Sequence, residues 1–397
     1  MKRLTLLFAL AAVVTTLTAS EVPAPKIALG PYIQACGQNE FTVVWQTDSD
    51  ALSWVEIAPD DGTHFYNTAR QQFFQTIHGR RPVGKWHCVK VTGLEPGTVY
   101  RYRILHKGIA LNNGNKRIRY TESKGSNVYR RQPYRVRTLD SDTNTTRFAV
   151  GNDFHDNAEL LSKLFSKDVI TAKDYDFVLF NGDMVSSFED EQRLASSVLA
   201  PAAKQFAAEV PLFFSRGNHE TRGKWAVHYS DYISTSTTAP YYTFSDGPAF
   251  FIVLDGGEDK PDSDIEYNDL VRYDIYREQE AEWLKKVVAS DECKNAKVKV
   301  VILHIPPKSN GWHGDAEIAR LFAPILNDAG VDAMICGHIH KYRLIEAGDA
   351  NTKCNFPIIC NPNRTRMDVT VSAEKITYSI TNGEGNTVQS NEILINK

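Results

Sequence analysis

The chain has 397 residues, with 45 Lys+Arg against 48 Asp+Glu and a formal net charge of −3. That length exceeds what one ordinary hydrophobic core supports, so two domains are expected. A hydrophobic fraction of 42 % and a charged fraction of 23 % describe a soluble globular protein. The near-neutral balance excludes a nucleic-acid coat, which needs surplus Lys and Arg to face phosphates.

Met1-Lys2-Arg3 supplies a basic start, residues 6–14 (LLFALAAVV) are continuously apolar, and Thr18-Ala19-Ser20 offers small residues at a cleavage position. The apolar run falls well short of the ~20 residues that cross a bilayer. No later run is longer, so no membrane span is expected. A cleaved signal peptide over residues 1–20 is expected instead, and with it export to the periplasm, the medium or the cell surface. Its loss removes two bases and no acids, taking the charge from −3 to −5. The six cysteines would then lie where disulfides are permitted. Cys354 and Cys360 are the best local pair, and Cys36 and Cys88 could join two strands. Cys336 reads as a buried thiol, and none of the six has CxxC spacing.

Residues 24–140 alternate in short strands separated by turns. Phe41, Val43 and Trp45 alternate with Thr42 and Gln46, and Tyr100, Tyr102 and Ile104 with Arg101 and Arg103. An antiparallel β-sandwich of immunoglobulin or fibronectin III type is expected. Inside it lies a basic insertion, residues 106–132, with Lys107, Lys116, Arg117, Arg119, Lys124, Arg130 and Arg131 against Glu122. A solvated loop is the plainer reading of that run, and a contact for an anionic partner the sharper one.

After the polar linker 140–144 the pattern changes, and residues 145–397 read as a second, α/β domain. Apolar runs at 147–150, 177–180, 212–214, 250–254, 298–303 and 333–336 suit a buried sheet. Helices are expected over 278–289 and 316–329, the second carrying Pro324 inside its pattern and Gly330 as its stop.

Chemistry gathers where these strands end. The first runs into Asp153-Phe154-His155, the second into Gly182-Asp183, and the third into Gly217-Asn218-His219-Glu220. The fifth ends at His304 and the last at Gly337-His338-Ile339-His340. Five of the 11 histidines fall in these motifs. Ligand sites of open α/β sheets lie at the carboxyl ends of strands, so the five clusters can converge in one crevice. Singly each motif is weak, since Gly-Asp is common and a lone strand-end His is more often structural than ligating. Together and in this order they point to a metal site, for which carboxylate, imidazole and amide oxygen are suited donors.

This constellation resembles the calcineurin-like metallophosphoesterases, whose pattern D-x-H, G-D, G-N-H-E, H, G-H-x-H is complete here. With a sandwich in front, the chain is similar to the purple acid phosphatase group. The resemblance implies a layered α/β/β/α catalytic domain behind a fibronectin III-like one. It implies that Asp153, His155, Asp183 and His340 hold one metal ion and Asp183, Asn218, His304 and His338 a second, with Asp183 shared. The ions would be iron, zinc or manganese. It departs from purple acid phosphatases at two places: their metal-binding tyrosine is Ser186 here, and their glycine is His155. A site without the coloured iron–tyrosinate bond is therefore expected.

The function so implied is hydrolysis of small phosphomonoesters by a hydroxide held between the metal ions. Phosphodiesters or nucleotides are the nearer alternative, and a surface binding protein with a vestigial site the more distant one. His219 is the candidate acid that protonates the leaving group or donates to the phosphoryl oxygen. Its plainer role is support for Asn218. His313 is a second candidate acid, with a surface histidine equally open, and Asn218, His219 and Arg222 are candidate substrate contacts.

Overall fold

The computed structural model describes residues 22–114, 117–129 and 133–395. The signal segment, and Lys116, Arg130 and Arg131 of the basic insertion, lie outside the described residues.

The long strand Glu40–Pro59 organises the N-terminal domain. Its first half pairs antiparallel with Ile27–Gln34 on one side and Gly84–Thr92 on the other, and its second half with Val99–Asn112 and Gln72–Phe73. Phe41, Val43 and Trp45 are fully buried, together with Val89, Val91, Tyr102 and Ile104. The alternation expected here is incomplete, because Thr42, Val44 and Gln46 on the opposite face are buried too. That face meets the second domain: Val44 joins an apolar cluster with Phe188 and Tyr232, and the Gln46 amide donates to Glu191 Oε1 at 2.7 Å. The basic insertion is largely a continuation of Val99–Asn112 paired with Ile118–Tyr120, and Lys107 sits 4.0 Å above the Tyr120 ring.

The catalytic half contains two six-stranded sheets. In the first, Leu212–Ser215, Phe177–Asn181 and Thr145–Gly151 run parallel, followed by antiparallel Arg366–Ser372, Lys375–Thr381 and Thr387–Leu394. In the second, Ala249–Val253, Val298–Ile302, Ala333–Cys336 and Ile358–Cys360 run parallel between antiparallel Tyr242–Asp246 and Arg343–Ile345. Side chains alternate across each sheet, so one set from both sheets shares a single core in which Phe148 and Phe251 meet edge to face at 5.4 Å. The other set meets helices. Phe180 and Phe214 pack with Leu161, Val198 and Phe206, and Val301 and Leu303 with Leu284, Ile318 and Leu326.

Two helices differ from expectation. The one placed over 278–289 starts earlier and spans Tyr273–Val288. The one placed over 316–329 is two, His313–Leu321 and Ala323–Asp328, because Pro324 cannot donate to the preceding turn and sits instead in the first turn of a new helix.

The disulfides expected between Cys354 and Cys360 and between Cys36 and Cys88 are not formed; all six cysteines are free. Cys354 Sγ turns to the Thr352 carbonyl at 3.5 Å, Cys88 Sγ to Ser234 Oγ at 3.1 Å, and Cys36 Sγ to the Arg137 carbonyl at 3.7 Å. Cys336 is a buried thiol as expected, placed opposite Cys360 in the parallel ladder.

Candidate metal centre

The parallel strands of both sheets deliver their carboxyl ends to one place. There the chain turns sharply, and five candidate ligands occupy left-handed backbone: Asp153 at φ 54°, His155 at 46°, Asp183 at 53°, His338 at 68° and His340 at 58°. Left-handed φ at residues with a Cβ costs on the order of 1–2 kcal/mol each. Hydrogen bonds between the turns hold them. Asp153 N donates to the Gly182 carbonyl at 3.0 Å, His155 N to the Asp183 carbonyl at 3.1 Å, and His338 N to Asp153 Oδ2 at 3.0 Å.

Three overlapping groups of donors result, the ligand atoms within each lying within 4.8 Å of one another: Asp153, His155 and His340; His155, Asp183 and His219; Asp183, His304 and His338. Asp183 belongs to two of them. Asn218 completes the last, with Oδ1 3.1 Å from His338 Nδ1. All seven residues read from the sequence as ligands are thus brought together.

The site is charged and partly buried. Burial disfavours the His304 cation, yet the neighbouring Asp183 and Asp153 carboxylates overcome this and lift its pKa to about 10. Conversely, burial would raise Asp183, and the His304 charge holds it well below the usual carboxylate range. Burial, reinforced by His304, lowers His338 to about 4. His304 Nε2 lies 3.0 Å from Asp183 Oδ2 and His340 Nε2 3.0 Å from Asp153 Oδ1, while His304 Nε2 and Asp153 Oδ1 make no well-directed hydrogen bond. Buried carboxylate oxygens and imidazole nitrogens crowded together in this way are the donor set that a cation with oxygen and nitrogen ligands requires, so the residues present fit a metal ion. The other nitrogen of His304, Nδ1, is fixed by the Asn181 carbonyl at 2.7 Å, which leaves Nε2 facing the site.

Residues that the sequence reading did not single out hold the ligands. Glu220 is fully buried, and its carboxylate accepts from the backbone N–H of Asp183, Met184, Val185 and Gly217 at 2.7–3.2 Å. It ties the second and third motif turns together. Asn152 donates to Asp153 Oδ2 at 2.6 Å, and its own amide is held by Asn361. Close packing also requires glycine here: a Cβ on Gly182 would lie 2.5 Å from His304 Nδ1, and one on Gly217 2.3 Å from Asp183 Oδ1. Glu220 was legible as the last residue of Gly-Asn-His-Glu; Asn361 carried no local signal.

His219 stands beside the cluster. Its Nδ1 lies 2.7 Å from the Ser186 carbonyl, which can only accept, so Nδ1 carries the proton and Nε2 is left facing Asp183 Oδ2 at 3.8 Å. Arg222 reaches the same nitrogen, Nη1 to Nε2 3.4 Å, while Glu258 grips its guanidinium at 2.7 and 2.9 Å and Asp259 at 3.3 Å. His313, the second candidate acid, opens a helix and pairs with Asp274 Oδ1 at 2.7 Å, and it belongs to none of the three donor groups.

Comparison with known proteins agrees with this geometry. Residues 146–342 match the family model for calcineurin-like phosphoesterases, and residues 31–119 that for the purple acid phosphatase N-terminal domain. None of the curated protein sequences compared with the chain matches it. Among solved structures, GAP50, the anchor in the inner membrane complex of Plasmodium, is 18 % identical over 64 % of this chain and 90 % of that one, with a TM-score of 0.46. A conserved uncharacterized protein from Streptococcus pneumoniae TIGR4, titled as a phosphoesterase, is 11 % identical over 63 % of this chain and 98 % of that one, at a TM-score of 0.29. A fibronectin type III domain from a human protein is 12 % identical over 25 % of this chain and 70 % of that one, at 0.15.

Proposed function

The chain belongs to the calcineurin-like phosphoesterases and carries the N-terminal domain of purple acid phosphatases, and on that premise we propose that it hydrolyses small phosphomonoesters at a two-metal centre. The observation that carries this is that the donor groups Asp153–His155–His340 and Asp183–His304–His338 abut, with an Asp183 oxygen also within 4.8 Å of a His155 nitrogen. A single ion would not need seven donors spread over five turns. Asp153, His155, Asp183 and His340 hold one ion, and Asp183, Asn218, His304 and His338 the other. Bound there, iron, zinc or manganese ions supply Lewis-acid activation of the phosphoryl group and of the attacking water.

The chain's own residues do the rest. Glu220 and Asn152 fix the orientation of Asp183 and Asp153 before substrate arrives. His219, with Nδ1 tied to Ser186, keeps Nε2 available to hold and pass a proton at the ester oxygen. Arg222, steadied by Glu258 and Asp259, stands beside that nitrogen, where its guanidinium can turn to a phosphate oxygen of the substrate. With serine at position 186, no phenolate contributes, and the purple iron–tyrosinate band is expected to be absent. The same reading takes the N-terminal domain as fibronectin III-like, the catalytic sheets and helices as four layers, and the protein as exported. Among the described residues no helix is long and apolar enough to cross a membrane.

The test is hydrolysis of matched monoester and diester substrates by protein reconstituted separately with zinc, manganese and iron. Monoester turnover at least about tenfold above diester turnover in kcat/KM supports the reading, and the reverse preference assigns the site to diesters. No turnover with any metal leaves the binding-protein alternative.

A further inference from the structure

The two sides of the metal centre carry opposite charge. In the second catalytic sheet the strand leading to His304 has Ala249–Val253 on one side and Ala333–Cys336, Ile358–Cys360 and Arg343–Ile345 on the other. The loop leaving Ala249–Val253 is acidic, with Asp255, Glu258, Asp259, Asp262, Asp264, Glu266 and Asp269 against Lys260. On the other side opens a cleft of 910 Å³. Its lining starts at Pro306, two residues after His304, and at Ile339, between His338 and His340. It therefore lies next to the ligand turns in the chain.

Pro306, Pro307, Ile339, Leu344 and Ile345 give this cleft apolar walls. Lys308, Lys341 and Arg343 also line it, and none of the three has an ion-pair partner among the described residues. What distinguishes these three is that they gather on one cleft beside the ligand turns. Two acids also line it, Glu346 and Asp349, the latter accepting from the backbone N–H of Asn351 and Thr352, so cations exceed acids in the lining by three to two. An orthophosphate fills only a small part of such a volume. The remainder suits a ring-sized apolar body, and the free cations suit a second anionic group, since ammonium and guanidinium heads recognise phosphate oxygens directly.

We propose that this cleft is the leaving-group subsite, and that the substrates are small molecules with at least two phosphates on a ring-bearing body, one phosphate being cleaved while Lys308, Lys341 and Arg343 hold another. This rests on the phosphoesterase reading of the metal centre. In the loop opposite, Asp262, Asp264 and Asp269 stand outside the ion pairs that engage Asp255, Glu258, Asp259 and Glu266, and they disfavour a second phosphate on that side.

The experiment compares adenosine 5′-monophosphate, adenosine 3′,5′-bisphosphate and p-nitrophenyl phosphate on metal-reconstituted wild-type protein and on the Lys308→Ala/Arg343→Ala double variant. A wild-type preference for the bisphosphate over the monophosphate of at least about tenfold in kcat/KM, reduced towards one in the variant, is expected. Equal use of the two nucleotides by wild type, or a preference the variant retains, overturns the proposal. If none of the three is hydrolysed, the phosphoesterase reading fails, and calorimetric binding of the bisphosphate decides the cleft on its own. Binding weakened about tenfold or more in the variant supports the anion subsite, and equal or absent binding overturns it.

Discussion

At the scale of single residues, the centre depends on side chains that are fixed before any ligand arrives. Gly217 shows how little room there is, since a methyl group would stand 2.3 Å from Asp183 Oδ1. Gly217→Ala is expected to lower metal affinity by about 10–100-fold, as loss of ligand support generally does, read by competition with a metal indicator. Glu220→Ala strands four buried N–H groups, each worth about 1–3 kcal/mol, so a large fall in Tm is expected even with metal present. His219→Ala is expected to act differently. Metal content should stay at the wild-type value while kcat falls about 10²–10⁴-fold. A parallel loss of metal would make His219 a support for Asn218 instead. The ligands themselves were legible because each follows an apolar run and a glycine or ends a strand. Their left-handed backbone was not, since aspartate and histidine favour it over most residues but adopt it only in a small minority of places, and Asn361 acts from a distance in sequence that no spacing reveals.

At the scale of elements, the strands of the parallel sheets were legible as apolar runs because both faces of each are buried. The amphipathic and edge strands 366–372, 375–381 and 387–394 were not, because in the first two polar, half-buried residues alternate with apolar ones and the last is largely exposed. Strand Tyr242–Asp246 carries a pH-dependent weakness. Asp246 is 3 % exposed, takes the Asp140 N–H at 3.1 Å, and leaves Oδ2 without a partner. Burial, and then the Asp176 charge, lift its carboxyl from 3.8 to about 7. Between those values the folded protein retains a proton that the unfolded chain has released, so this residue makes stability fall as pH rises through that window. Asp246→Asn is expected to be more stable than wild type by about 1–3 kcal/mol at pH 8 and to lose that advantage near pH 4, read by denaturant melts. An advantage that does not change with pH would contradict this origin.

At the scale of the whole molecule, the two domains share their cores. Tyr32 OH donates to the Tyr232 carbonyl at 2.9 Å, Tyr102 OH to the Ala208 carbonyl at 2.6 Å, and Trp86 Nε1 to Glu191 Oε1 at 2.6 Å. Leu29, Tyr32 and Val44 of the first domain join the same apolar cluster as Phe188, Val198 and Tyr232 of the second. The change of pattern near residue 140 was legible, but this apolar contact was not, because a strand buried on both faces looks in sequence like any core strand. A single calorimetric transition is therefore expected, with no separate unfolding of the N-terminal domain. The central claim, a two-metal phosphoesterase, is tested most directly by measuring bound metal and p-nitrophenyl phosphate turnover together, for wild type and His304→Ala reconstituted in parallel. The expected result is two metal equivalents per wild-type chain, fewer in the variant, and turnover reduced at least about a hundredfold. Equal turnover in the two proteins, or a wild type that binds no metal, would contradict it.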